Sequence, residues 1–197
     1  LAALIEANVP TNEWPTEWFA VQDNIHRADV LLGKHITPGA AIAVARARGP
    51  EATLAEIVGS KLRGRGGAGF STGTKWQLCR DAPGSARVVV CNADEGEPGT
   101  FKDRVLLTRY ADEVFEGMAV AALVLGACEG FLYLRGEYRY LLEHLEGVLQ
   151  RRRAQGLLGP AFDIRIHVGA GAYVCGEESA LIESLEGQRG TPRIRPP

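Results

Sequence analysis

Long apolar runs are missing from this chain of 197 residues; the longest candidate, Met118 to Leu125, falls well short of the roughly 18 residues that a membrane span needs. No positively charged segment followed by an apolar one opens the chain, so neither membrane insertion nor secretion is expected. An excess of one charge is missing too. Lys and Arg number 22 against 24 Asp and Glu, a net charge of -2 without any block of like charges, which removes the electrostatic footprint of a nucleic-acid binder. Cysteine is scarce: Cys79, Cys91, Cys128 and Cys175 stand 12, 37 and 47 positions apart, matching neither a disulfide framework nor the Cys-x-x-Cys pairs of zinc and iron–sulfur ligation. His26, His35, His144 and His167 are equally scattered, so no metal site is expected within the chain, and free thiols point to a reducing cytoplasm.

What is present fits one domain with a real core: 46% hydrophobic residues and 24 glycines in a length typical of single domains. The first residue is Leu1 and the last, Pro196 and Pro197, follow a basic stretch, so the chain is expected to be a piece of a longer polypeptide. Residues 1–38 hold Trp14 and Trp18 with little periodicity and read as an irregular lead-in or the end of a preceding domain. An α/β domain, cut short at its C-terminal side, is expected over 39–197. Gly39 to Arg48 and Glu51 to Val58 predict two short helices broken at Gly49-Pro50. Arg87 to Cys91, Phe131 to Leu134 and Phe162 to Val168 predict strands; Glu113 to Leu125, Tyr138 to Gln155 and Glu177 to Leu185 predict helices. Strands alternating with helices predict a mostly parallel sheet with flanking helices. In such sheets ligands sit beyond the carboxyl ends of the strands, which gathers 92–100, 135–137 and 169–178 around one crevice.

Three segments carry chemistry. The first, Lys61 to Trp76, contains Gly64-x-Gly66-x-x-Gly69, formally a dinucleotide fingerprint, but the residues before it look helical and no strand precedes it. A standard Rossmann fold is therefore not expected. The Walker-type loop fails as well, because Thr74 separates Gly73 from Lys75. What survives is a run of glycines whose amides can converge on an anion, with Lys75 on a helix begun just after Gly73; a phosphate suits it, a flexible linker being the duller reading. The second segment, Asn92 to Gly99, packs Asp94, Glu95 and Glu97 beside an amide, suited to the donor edge of a heterocycle or to ribose hydroxyls, or else a solvated acidic turn. The third, Gly169 to Ser184, joins a glycine turn, Tyr173 and an acidic helix start at Glu177 and Glu178, an arrangement also common on structural helices. Cys175 has no His beside it to make it a nucleophile.

Taken in order, Arg63 to Phe70, Asn92 to Asp103, Arg135-Gly136-Glu137-Tyr138 and Gly169 to Ser184 resemble the motifs of the NADH-binding flavoprotein subunit of respiratory complex I and its relatives. Those relatives are the diaphorase subunit of soluble NAD-reducing hydrogenases and the electron-input subunit of NAD-dependent formate dehydrogenases. The resemblance runs from about Leu62 to Pro197, and Phe70-Ser71-Thr72-Gly73, Leu78-Cys79-Arg80-Asp81 and Gly190-Thr191-Pro192-Arg193 look most like the hydrogenase diaphorases. It implies an FMN-binding α/β domain in which Gly64, Arg65, Gly66, Ala68 and Lys75 hold the FMN phosphate and ribityl chain. Asn92, Asp94 and Glu95 would line the isoalloxazine, with Tyr173, Gly176 and Glu177 bordering it, while Phe70, Glu97 and Glu178 face NAD(H).

The implied reaction is hydride transfer between the nicotinamide and the flavin, then one-electron steps to iron–sulfur centres. It asks the protein to stack and orient two rings within about 3–3.5 Å and to tune the flavin, not to supply an acid–base pair. Partners would be iron–sulfur and hydrogenase subunits, or those of a formate dehydrogenase or quinone reductase. Two positions depart from the complex I pattern: Leu78 stands where an aromatic residue is frequent, and Arg195 where a lysine associated with NADH stands, a change that is not neutral at such a site. The family's Thr-Ile-Asn-Asn segment and the cysteine cluster for a 4Fe-4S centre would lie beyond Pro197. Two other classes stay open at this point: a folded scaffold for neighbouring subunits, and a nucleotide-phosphate binder without redox chemistry.

Overall fold

Strands β1 (Val88–Ala93), β2 (Glu129–Leu134) and β3 (Asp163–Val168) pair in the order β1-β2-β3, all parallel. The register sets Val90 against Phe131 and Phe131 against Arg165, so the three carboxyl ends, at Ala93, Leu134 and Val168, finish level. The computed structural model describes residues 2–19 and 32–194; Arg195 lies outside the described residues. The chain divides into two units, 1–34 and 35–197. In the first, helix α1 (Ala2–Glu6) is followed by two single turns of tighter helix, and the Trp14 indole N–H donates to the Val9 carbonyl at 2.8 Å while its ring meets Trp18 edge-on.

The second unit holds the sheet and seven helices. Helices α2 (Ala40–Arg48) and α3 (Pro50–Gly59) break where Gly49 takes φ +84° and Pro50 opens the next helix, a position at which proline's missing N–H costs nothing. Helix α4 (Thr72–Asp81) starts earlier than its glycine suggested. Ser71 caps it, and Gly73 sits inside the first turn because a Cβ there would lie 2.7 Å from the Val58 backbone; packing against α3 overrides glycine's tendency to break helices. Helix α5 (Lys102–Arg109) was not predicted. Helix α6 (Ala111–Leu125) ends at Gly126 in the left-handed region, and α7 (Leu142–Ala154) is preceded by a tighter helical stretch over Gly136–Leu141, which the periodicity had merged with it. Helix α8 (Glu178–Leu185) follows β3 and its glycine turn.

One core cluster unites Val89, Ala93, Leu132, Leu134 and Ile164 from the sheet with Phe115, Met118, Ala119 and Ala122 of α6 and Leu145, Val148 and Leu149 of α7. The alanines bring α6 close to the sheet, where a Cβ on Gly130 would meet the Phe162 ring at 2.8 Å. A smaller cluster of Tyr133, Cys175, Leu181 and Leu185 ties α8 to the sheet, with the Tyr133 hydroxyl 2.8 Å from Ser184 Oγ.

Candidate functional site

The crevice predicted beyond the strand ends exists, and backbone bonds draw its walls together. The Arg135 amide donates to the Ala93 carbonyl at 3.1 Å, and that of Gly169 to the Leu134 carbonyl at 2.8 Å. Asn92 braces the far side: its Nδ2 donates to the Gly176 carbonyl at 2.9 Å and its Oδ1 accepts from the Asp94 amide at 3.1 Å. Glycines are needed at these approaches. A Cβ on Gly136 would lie 2.8 Å from the Gly169 carbonyl, one on Gly96 2.9 Å from the Tyr173 ring, and one on Gly176 3.2 Å from the Asp94 carbonyl. The floor is a cavity of about 100 Å³ lined by Asp94, Gly96, Arg135, Glu137, Gly171, Ala172 and Tyr173. A larger hollow of about 290 Å³, bordered by His35, Arg109, Asp112, His144 and Arg151, takes none of its lining from the strand ends.

Asp94 is the irregular member of this wall. Its Oδ2 is buried without a hydrogen-bond partner, and burial pushes its carboxyl up to about 6, with Arg135 pulling it down and Glu137 adding to the rise. Its folded-state value therefore lies above the unfolded one, and the folded state loses stability as pH rises from about 4 to 6. Asp94→Asn is expected to flatten that part of the stability–pH curve, as followed by urea unfolding at several pH values; an unchanged slope would contradict the assignment.

The other carboxylates split by task. Glu95 is buried and turned into the fold: its oxygens accept from the amides of Asp103 and Arg104 at 3.0 and 3.4 Å and from the Tyr138 hydroxyl at 2.9 Å, capping α5. Glu177 does the same for α8, accepting from the amides of Ser179 and Ala180 at 2.9 and 3.0 Å. Glu97 reaches across the mouth to accept from the Tyr173 hydroxyl at 2.7 Å, which holds that phenol above its ordinary range. Tyr173 itself is 67% exposed.

The glycine segment forms a loop closed by a bridge between Arg63 and Ser71, with the Gly64 amide donating to the Phe70 carbonyl at 2.9 Å and Arg63 to the Gly69 carbonyl at 3.0 Å. Gly66 has open space where a side chain would stand, and Phe70 is exposed. Lys75, on the first turn of α4, pairs with Glu178 at 3.2 Å, which joins this loop's helix to the start of α8. Both partners are exposed, a setting in which such a pair contributes roughly 0.2–1 kcal/mol, so Lys75 can exchange it for a ligand oxyanion. No contact ties Arg65, Ala68 or Phe70 to the Asp94 cavity; the bond between α4 and α8 is the link. Among the described residues no group of three or more His, Cys, Asp or Glu could hold a metal ion, and no helix is long and apolar enough to cross a membrane.

Residues 57–197 match the family described as the Nuo51 FMN-binding domain. The chain belongs to that family. This FMN-binding domain is 63% identical over 156 residues to the alpha subunit of the NAD-reducing hydrogenase HoxS of Cupriavidus necator, covering 75% of the chain and 26% of that protein. It is 43% identical over 159 residues to the mitochondrial NADH dehydrogenase [ubiquinone] flavoprotein 1 of Dictyostelium discoideum, covering 76% of the chain and 33% of the relative. A crystal structure of an air-oxidized NAD+-reducing [NiFe]-hydrogenase superposes with a TM-score of 0.87 at 52% identity, over 99% of the chain and 34% of its counterpart. The chain thus spans between about a quarter and a third of these curated relatives.

The crevice suits an FMN on its own terms. A buried acceptor without a partner, Asp94 Oδ2, asks for an N–H donor such as a heterocycle's edge provides, and an open glycine loop followed by a lysine on a helix's first turn suits a phosphate monoester. Sequence reasoning passed over Arg135 and Glu137 as site residues. Both line the cavity, and the signal was available, since both lie in a segment directly after a parallel strand.

Proposed function

We propose that the chain is the FMN- and NAD(H)-binding part of a diaphorase module that exchanges hydride between NAD(H) and FMN and passes electrons to the iron–sulfur centres of an NAD-reducing hydrogenase. The unpartnered Asp94 oxygen in the cavity at the strand ends carries this reading, because it marks where a heterocycle is received. When bound, FMN takes a hydride as a pair of electrons and releases them singly. In this reading Gly64, Arg65, Gly66, Ala68 and Lys75 receive the phosphate and ribityl chain. Asn92, Asp94, Tyr173 and Gly176 border the ring, and Glu95 and Glu177 shape its surroundings by capping α5 and α8. Phe70, Glu97, Glu178 and Arg195 meet NAD(H), with Tyr173 and Glu97 fixing each other at the mouth.

Iron–sulfur and hydrogenase subunits are the proposed partners, in the cytoplasm, where Cys79, Cys91, Cys128 and Cys175 stay free thiols as they are here. The higher identity to the hydrogenase relative, 63% against 43%, favours this over the equivalent input subunit of a quinone oxidoreductase or formate dehydrogenase.

The test is an absorption spectrum of the purified protein reconstituted with FMN and then treated with NADH under argon. A bound flavin band that bleaches is expected; a protein that holds no flavin would overturn the reading. Variants separate its parts. Gly66→Ala is expected to leave stability within about 0.5 kcal/mol, since nothing surrounds the new methyl, yet to weaken FMN roughly tenfold by standing where the phosphate approaches. Lys75→Ala is expected to weaken FMN by roughly 10–100-fold, as loss of a charge-assisted contact does, whereas Glu97→Gln changes NADH kinetics more than flavin content. Equal flavin loss in Lys75→Ala and Glu97→Gln would contradict the division of roles.

A further inference from the structure

Arg135 is the one basic side chain among the described residues that line the cavity, and it stands there with Asp94 and Glu137. Its guanidinium is held from three sides. One NH group donates to the Glu95 carbonyl in the loop after β1, the other donates to Glu137 Oε1 at 2.7 Å, and the Tyr138 ring lies 5.8 Å below. Only a quarter of the side chain is exposed, so its charge is felt more strongly than in open water. Two of the five N–H donors of a guanidinium meet these oxygens, which leaves donors over for a ligand.

We propose that Arg135 sets the redox balance of the flavin received in this crevice, its fixed positive charge favouring the electron-rich reduced ring while Glu137, on the same guanidinium, works the other way. The inference rests on the flavin reading above. A cavity-lining cation stabilises whichever ligand state carries more negative charge, and a neighbouring carboxylate destabilises it. Arg135 also ties the β1 and β2 exits together, so it is a positioning residue too, and the test must separate position from charge.

The experiment measures the midpoint potential of bound FMN by dye-equilibrated reduction, together with flavin stoichiometry and FMN affinity by fluorescence, for the reconstituted full-length protein and for Arg135→Lys, Arg135→Gln and Glu137→Gln. Arg135→Gln is expected to shift the potential negative, equivalent to a roughly tenfold smaller preference for reduced over oxidised FMN, the size of one charge-assisted contact. Arg135→Lys should restore most of it, and Glu137→Gln should shift it positive. Shifts of the same sign in Arg135→Gln and Glu137→Gln, or no shift in either, would overturn the proposal. If Arg135→Gln loses its flavin, the sign of the Glu137→Gln shift decides alone. A parent protein that holds no flavin at all would instead overturn the functional reading.

Discussion

Arg152→Met is expected to cost about 3–5 kcal/mol, a large part of the roughly 5–15 kcal/mol that holds a domain of this size together. Arg152 is fully buried on α7 and donates to Asp112 Oδ1 and to the Asp112 carbonyl, both at 3.2 Å, and to Glu116 on α6. Glu116, also buried, accepts in turn from the amides of Gly39 at 3.1 Å and Ile42 at 2.9 Å, capping the start of α2. Methionine replaces the arginine's volume but leaves two carboxylates without their cation, and that orphaned charge is the source of the cost. Burial works against an ionised Glu116, yet Arg152 and the two amides hold its carboxyl below the ordinary range. Its contribution is therefore present above the unfolded-state value and is lost as pH falls through the lower folded-state one. Urea unfolding at neutral and acid pH checks both statements. Arg152→Met should lower the midpoint at neutral pH and lose most of its difference from the parent in acid; a midpoint near the parent's would contradict the network. Glu116→Gln, which keeps an acceptor for α2, should cost less than Glu116→Ala.

The sheet was legible because each strand is a short apolar run, and α6 and α7 because their apolar spacing is helical over many turns. Helix α5 was not, for a physical reason. Its sequence, Lys102-Asp103-Arg104-Val105-Leu106-Leu107-Thr108-Arg109, is mostly charged, and Phe101 precedes it where a capping side chain would announce a start. The cap comes from Glu95, whose oxygens meet the amides of Asp103 and Arg104 from eight or more residues upstream. The same fact explains Glu95 in the site. Read as one of three clustered carboxylates it looked free to meet a ligand, whereas its burial and its partners belong to the fold. Arg135 was passed over for the complementary reason: its partner, the Glu95 carbonyl, lies 40 positions away, a distance no local pattern reports. Gly73 misled in the other direction, since a glycine that reads as a helix boundary is there because Val58 leaves no room for a side chain. Wherever the function-bearing contact is long-range, the motif locates the segment and only the fold assigns the atom.

Gly136→Ala is expected to lose both stability and flavin. A new methyl would stand 2.8 Å from the Gly169 carbonyl and 3.2 Å from the Gly171 amide, and both are backbone atoms that cannot rotate aside. The Gly169 amide is fixed by its bond to the Leu134 carbonyl, so the turn after β3 cannot move alone. Overpacking of this kind costs typically 1–3 kcal/mol, more than the roughly 0.4–1 kcal/mol that alanine returns by narrowing the unfolded ensemble, so the net effect is destabilising. The displaced segment carries Glu137 into the cavity and Tyr138 onto Glu95, so the strain spreads to the cap of α5 and the crevice opens where Asp94 waits for its partner. Gly117→Ala is the control. It lies exposed in the middle of α6 with nothing around the new methyl, so the entropic and helix-forming gain stands alone and the midpoint should rise, by about 0.5–1 kcal/mol. Urea midpoints and FMN titrations of the two variants side by side make the comparison. A Gly136→Ala protein as stable as its parent would show that the ends of β2 and β3 are not pressed together, and with them the tightness of the proposed flavin crevice would fall.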